Sequence, residues 1–209
     1  MASDAQSLSA GWLKFLNPPT LRENLIRASL FLTAWETLKS AVVDHVKGFF
    51  AVGWDDAGEH ASPEYQAKVL SLDKSPLTAS LLWFKQMGAI TDTDIALVDR
   101  LRQHRNELAH DLPKFLATVE YEVNVNLLRE LVALVAKVDR WWIREIEMPI
   151  SGDYTAEQVA AIPDSEITSG RMMLMQMLLQ VATGNDPDAS QWHNTLVKIC
   201  GTPEQHNGK

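Results

Sequence analysis

Residues 18–50 read PPTLRENLIRASLFLTAWETLKSAVVDHVKGFF, and the spacing of their apolar side chains decides the fold. Phe31, Trp35, Leu38, Val42, Val46 and Phe49 recur at steps of three or four, which gathers them on one face of an α-helix. Pro18 and Pro19 stand at its start. Thr20 and Glu23 have capping-box spacing, in which hydroxyl and carboxylate satisfy free amides of the first turn. The pattern predicts a helix over about 20–50. A helix with one apolar stripe needs other elements to cover it, so the rest of the chain must supply them.

Working outward from this stretch, few segments alternate as strands do. The run Gly53-Trp54-Asp55-Asp56-Ala57-Gly58 breaks the helical pattern and reads as a loop. Ser62-Pro63 and Ser75-Pro76 each place a capping hydroxyl before a proline suited to the first helical position, predicting helices over 63–72 and 76–87. Thr91, with Asp94 three residues on, opens another that carries Leu97, Val98, Leu101, Leu108 and Leu112 until Pro113 closes it. A long helix over 119–147 follows, with Leu127, Leu128, Leu131, Leu134, Val135, Val138, Trp142 and Ile146, and Pro149 stops it.

Residues 1–17 read as an arm whose Trp12, Leu13, Phe15 and Leu16 are available to dock on a neighbouring surface. Residues 151–164 are small and polar around a helical turn. A methionine-rich helix is predicted over 165–183, its Met172, Met173, Met175 and Met177 reading as adaptable filler of a core or as a partner surface. The expected architecture is all-α: a helical bundle of long antiparallel helices over 18–150, an N-terminal arm over 1–17, and a C-terminal helical extension over 151–209.

Composition narrows the function classes. The 209 residues are 46% hydrophobic and 22% charged, enough apolar material for one sizeable core. A lone cysteine, Cys200, rules out an internal disulfide and multi-cysteine metal sites. Asp55, Asp56, Glu59 and His60 fit no calcium-loop or zinc spacing. The start Met-Ala-Ser-Asp lacks the basic and apolar runs of a signal peptide, and no apolar run approaches the ~20 residues that cross a bilayer. No membrane association and a cytoplasmic address are the expectation. The net charge of −8 confines any nucleic-acid contact to a small local patch.

One stretch carries chemistry: Arg100-Leu101-Arg102-Gln103-His104-Arg105-Asn106-Glu107-Leu108-Ala109-His110-Asp111. Arg105 lies four residues after Leu101 and three before Leu108, on an otherwise apolar stripe, where a charge is costly unless paired or turned into a groove. Asn106 and His110 are one turn apart on the same side. Arg105 and His110 are about 140° apart around an ideal helix, so only a long, bent arginine brings the two groups together. Their residue types suit RNA cleavage by internal transfer. Histidine can take or give a proton near neutrality, and arginine stays charged and offers several donors to phosphoryl oxygens. Neither step requires a metal ion or an organic cofactor.

Arg-Asn-Glu-Leu-Ala-His resembles the signature of the HEPN (higher eukaryotes and prokaryotes nucleotide-binding) superfamily: an arginine, a polar residue, then a histidine after four to six intervening residues. The resemblance covers roughly 20–148. It implies a HEPN-like helical bundle, commonly a homodimer, and a metal-independent endoribonuclease with its composite site at the dimer interface. It also implies RNA as substrate, a toxin or antiviral defence role, and an antitoxin protein as a further partner. Arg105 would stabilise the transferring phosphoryl group, Asn106 would position it, and His110 would transfer protons. Some members carry a tyrosine two residues after the histidine; here that position is Leu112. Other members bind a nucleotide, RNA or a partner protein without cleaving anything.

Arg102, one turn before Asn106, is a candidate phosphate contact, although Arg102 and His104 read first as a solvated face. Glu36 matches a polar position on an early helix that faces the motif in HEPN proteins, and so is a candidate substrate-binding residue. Its own spacing pairs it with Lys39 along the helix. For Arg105 the competing structural reading is an ion pair with Glu107, Asp111 or a neighbouring helix. For His110 it is a cap on the helix C-terminus.

Overall fold

In the computed structural model, described over residues 10–55 and 58–184 and at 190, 191, 194, 195 and 198, almost every ordered element is helical. A short helical segment, 10–15, precedes α1 (Pro18–Phe49). A two-stranded antiparallel hairpin follows, β1 (Ala51–Asp55) against β2 (Gly58–Ala61). Next come α2 (Pro63–Tyr65), continued by a π-helical turn (Gln66–Leu70), then α3 (Pro76–Gln86), α4 (Asp92–Ala117) and α5 (Val125–Trp142). A second π-helical turn (Ile143–Glu147) leads into α6 (Met148–Ser151), α7 (Ala156–Ala161) and α8 (Gly170–Ala182). No helix among the described residues is long and apolar enough to cross a membrane.

α1 is the central element, in contact with α3, α4, α5 and α8. Its stripe is buried as the periodicity requires: Phe31, Leu38, Val42 and Val46 are sealed, though Phe49 is exposed and Phe50 takes the inward place. Leu101 and Leu108 of α4, Leu128, Leu131, Val135 and Val138 of α5, and Phe84 of α3 complete the core. α4 and α5 run antiparallel, since Lys137 meets Asp94 at one end while His104 meets Asn124 at the other. α1 and α8 are antiparallel too, with Arg171 beside His45 and Arg27 bonded to the Ala182 carbonyl.

Several boundaries differ from the sequence expectation. The cap of α1 is Asn17, whose Oδ1 accepts from the Thr20 amide at 3.3 Å; Pro18 and Pro19 need no amide partner, so the helix begins before Thr20. Glu23 pairs with Arg27 instead of closing a box. Ala51–Asp55 and Gly58–Ala61 pair as antiparallel strands where a loop over 53–58 was expected. α5 starts at Val125, because Asn124 accepts from both the Asn126 and Leu127 amides at 3.0 Å. Pro149 ends nothing: it occupies the first turn of α6, and the stop comes at Gly152 with φ +73°.

The helix after the polar linker is no loose appendage. α8 lies against α1 and α5 with Met175 fully buried, and a polar cluster bolts its start. Arg171 Nη1 donates to Asp139 Oδ1 at 2.7 Å and to His45 Nε2 at 2.6 Å, and the Ser169 hydroxyl donates to the other oxygen of Asp139. Burial alone would raise the Asp139 carboxyl, but the neighbouring His45, the Ser169 hydroxyl and the Arg171 guanidinium hold it below its usual value. At the other end of the chain the arm docks: Lys14 donates to the Thr118 and Tyr121 carbonyls, and Gly11 sits tight against Ala117. Trp12, Leu13 and Leu16 nonetheless stay exposed.

Candidate functional site

α4 opens with the capping box read from sequence, Thr91 and Asp94 each satisfying the other's amide. It continues past Pro113 to Ala117, broken by a kink at Asp111 (φ −119°, ψ 23°). Proline lacks the amide that would bond to the Ala109 carbonyl, and its ring crowds that turn, so the helix bends here. His110 is therefore the last residue of the straight segment, at a corner of the bundle, and its side chain is exposed. Asn106, one turn back on the same side, is exposed as well.

Arg105 is half-buried, its side chain 34% exposed between α4 and α1. Nη1 donates to the Asn106 carboxamide oxygen at 3.2 Å, and Nη2 lies 3.5 Å from Glu36 Oε1. Its Nε is shielded from water and has no acceptor. The guanidinium thus bridges Asn106 on its own helix and Glu36 on α1. Asn106, the acceptor, shares its exposed side of α4 with His110. Side chains one turn apart on such a face have Cβ atoms about 5–6 Å apart.

Glu36 stands across from the motif while also pairing with Lys39, Oε2 to Nζ 3.2 Å. The long N···O separations and the half-exposed carboxylate make its hold on Arg105 weak, of the order of 0–1 kcal/mol. Glu107 and Asp111, the other acids weighed as partners for Arg105, are engaged elsewhere, with Gln103 and Lys114. Arg102 is turned back along α4 to Asp99 at 2.7 Å and does not join Asn106.

His104 corrects the sequence reading, which placed it on a solvated face. It is buried edge-on against Phe31 and Phe115, and its Nε2 accepts the Asn124 amide at 3.1 Å. That acceptance puts the lone pair on Nε2 and the proton on Nδ1, which faces Glu107 Oε2 at 3.7 Å. Burial pushes its pKa below the ordinary 6.5, against the opposing pull of Glu107. His104 therefore joins the start of α5 to the motif helix and serves structure. Its position three after Leu101 and four before Leu108 is a signal that could have revealed this.

Just beyond the kink lies a mainly apolar hollow of about 590 Å³, walled by Leu112, Pro113 and Leu116 on one side and by Trp12 and Phe15 of the arm on the other. Trp12 and Phe15, read from sequence as available to dock on a neighbouring surface, form its outer wall. The side chains of Asp55, Asp56, Glu59 and His60, and Cys200, lie outside the described residues. No family model, curated protein or solved structure matches the chain.

Proposed function

We propose that the chain is a metal-independent endoribonuclease of HEPN type, acting as a homodimer in a toxin–antitoxin or antiviral defence system. The observation that supports this reading is the hydrogen bond from the half-buried Arg105 guanidinium to Asn106, an exposed residue that shares its side of α4 with His110. In internal transfer the 2′-oxygen attacks phosphorus as it loses its proton, and the 5′-oxygen leaves as it gains one. The products are a 2′,3′-cyclic phosphate and a 5′-hydroxyl. His110 supplies one proton transfer, and Arg105 neutralises the charge that gathers on the non-bridging oxygens. Asn106 holds the guanidinium in place.

A single chain offers one His110, so a second copy across a two-fold axis would complete the acid–base pair. The exposure of His110 at the kink of α4 is what supports such an approach. Glu36 is weakly held and competes with substrate for Arg105, and an RNA phosphate would displace it. The aromatic wall of the neighbouring hollow suits a base next to the scissile phosphate. Arg102, tied to Asp99, is a peripheral phosphate contact at most. The proposal is tested by incubating single-stranded RNA with the wild-type chain in EDTA and following cyclic-phosphate ends, with Arg105→Ala and His110→Ala beside it.

The occupied state of Arg105 supports a second reading, a non-catalytic HEPN-like module that binds a nucleotide, RNA or a partner protein. Under it, RNA binds, and no variant changes the length of the RNA.

A further inference from the structure

Arginine side chains half-buried in this bundle have acceptors with one exception. Arg27, Arg102, Arg105, Arg144 and Arg171 each bond a carbonyl, carboxylate or carboxamide. Arg140, near the end of α5, has no hydrogen-bond or ion-pair partner among the described residues, although its Nε is sealed from water. Arg102, Arg105 and Arg144 also leave Nε without an acceptor, so Arg140 differs in its Nη groups, which bond no acceptor among the described residues, and a half-buried cation left so calls for an explanation.

Its surroundings supply one. Arg140 lines a hollow of about 250 Å³ together with Lys137, Trp141 and Arg144, which recur at helical steps along one face of α5 and the π turn. Lys137 is neutralised by Asp94 at 2.5 Å and Arg144 by Asp164 at 2.6 Å. Glu145, also on the rim, is exposed and bonds to none of these cations. Arg140 is thus the uncommitted cation. At Arg144 and Glu145 this hollow meets another of about 540 Å³, lined by Pro149, Val159 and a Tyr154 that is 46% exposed. A free guanidinium fork and an adjoining chamber of mixed polar and apolar lining, with the Tyr154 ring at its edge, make a two-part site of small-molecule size.

We infer that this end of the bundle binds a phosphate monoester carrying a planar ring, its phosphoryl oxygens on Arg140 and its ring beside Tyr154. The site is separate from the Arg105–His110 face. Asp94, which pairs with Lys137, precedes His110 by 16 residues of α4, about 24 Å of helix rise. The inference does not rest on ribonuclease activity.

The test is calorimetric titration of the full chain with adenosine monophosphate, inorganic phosphate and adenosine, paired with thermal melts. Adenosine monophosphate is expected to bind and raise the Tm, with phosphate and adenosine each at least tenfold weaker. Arg140→Gln should cut its affinity at least tenfold without lowering the Tm of the free protein. Arg140→Lys keeps the charge, loses the fork and should weaken binding too, so the test survives a Gln variant that does not fold. Tyr154→Ala should weaken adenosine monophosphate binding and leave phosphate binding unchanged. No binding of either phosphate compound at millimolar concentration, or equal affinity in the Arg140 variants, overturns the site. Equal affinity for phosphate and adenosine monophosphate overturns the ring half.

Discussion

Replacing His104 by leucine isolates the joint that holds the motif helix to α5. The imidazole is buried, and Nε2 is the acceptor for the Asn124 amide, at the N-cap of α5. Leucine fills much of the same volume but leaves that amide without an acceptor, at a cost of about 1–3 kcal/mol. It also loses the edge-on contacts with Phe31 and Phe115, worth about 0.5–1.5 kcal/mol each and partly restored by the new methyls. A net loss of about 2–3 kcal/mol at pH 7.5 lowers the Tm by roughly 4–12 °C for a chain of this size. The pH dependence carries the sharper test. The folded pKa of His104 lies below the ordinary 6.5, so the unfolded chain takes up this proton first as the solution is acidified. The stabilisation is therefore complete above about pH 6.5 and lost as pH falls through the folded value. Thermal melts of wild type and His104→Leu between pH 7.5 and 5 should show the gap between them narrowing with acid. The other histidines contribute equally to both proteins and cancel. An unchanged Tm at pH 7.5, or a gap that stays constant down to pH 5, would refute the assignment of His104 as a neutral, buried acceptor.

Asp139→Asn leaves Arg171 without its buried counter-charge and should cost about 3–5 kcal/mol, with faster proteolysis or hydrogen exchange of α8. In the wild type the lowered carboxyl means this support is present above its ordinary pKa of 3.8 and vanishes as pH falls through the folded value, which acid melts of wild type against variant will show. Met175→Ala empties a fully buried position and should cost about 2–5 kcal/mol by denaturant titration; a loss near zero would mean that α8 is not part of the core. Gly11→Ala sets a Cβ 2.3 Å from the Ala117 carbonyl oxygen, so the arm must move away. Trp12 fluorescence and protease sensitivity of the first 17 residues should then change while the bundle melts within about 1–3 kcal/mol of wild type.

The helices were legible because their burial is periodic. Phe31 to Val46, Leu101 and Leu108, and Leu128 to Val138 are apolar at the positions that the bundle covers. The cap at Thr91 and Asp94 was legible, but the same spacing at Thr20 and Glu23 misled, because Asn17 ahead of two prolines caps α1 instead. The hairpin was not, since strands of five and four residues with an irregular register between Ala51 and Gly53 hold too little alternation. α8 looked peripheral because the pair that secures it, Arg171 and Asp139, spans 32 residues and leaves no local trace. At the candidate site, the stripe position of Arg105 and the shared side of Asn106 and His110 could be read from spacing. The turn of the guanidinium onto Asn106 and the reach of Glu36 from a helix 69 residues away could not. His104 shows the opposite error, a polar residue assigned to solvent despite a spacing that placed it inside.

The proposed RNA cleavage by Arg105 and His110 is decided by incubating RNA in EDTA with wild type, Arg105→Ala and His110→Ala. His110 is exposed, so His110→Ala should melt within a degree or two of wild type, and Arg105→Ala, which removes a half-buried stem and a weak ion pair, should lose more but stay folded. Wild type is expected to leave 2′,3′-cyclic phosphate ends, with Arg105→Ala and His110→Ala at least 100-fold slower. A His110→Ala protein that cleaves as fast as wild type, or a folded wild type that leaves single-stranded RNA intact, would contradict it.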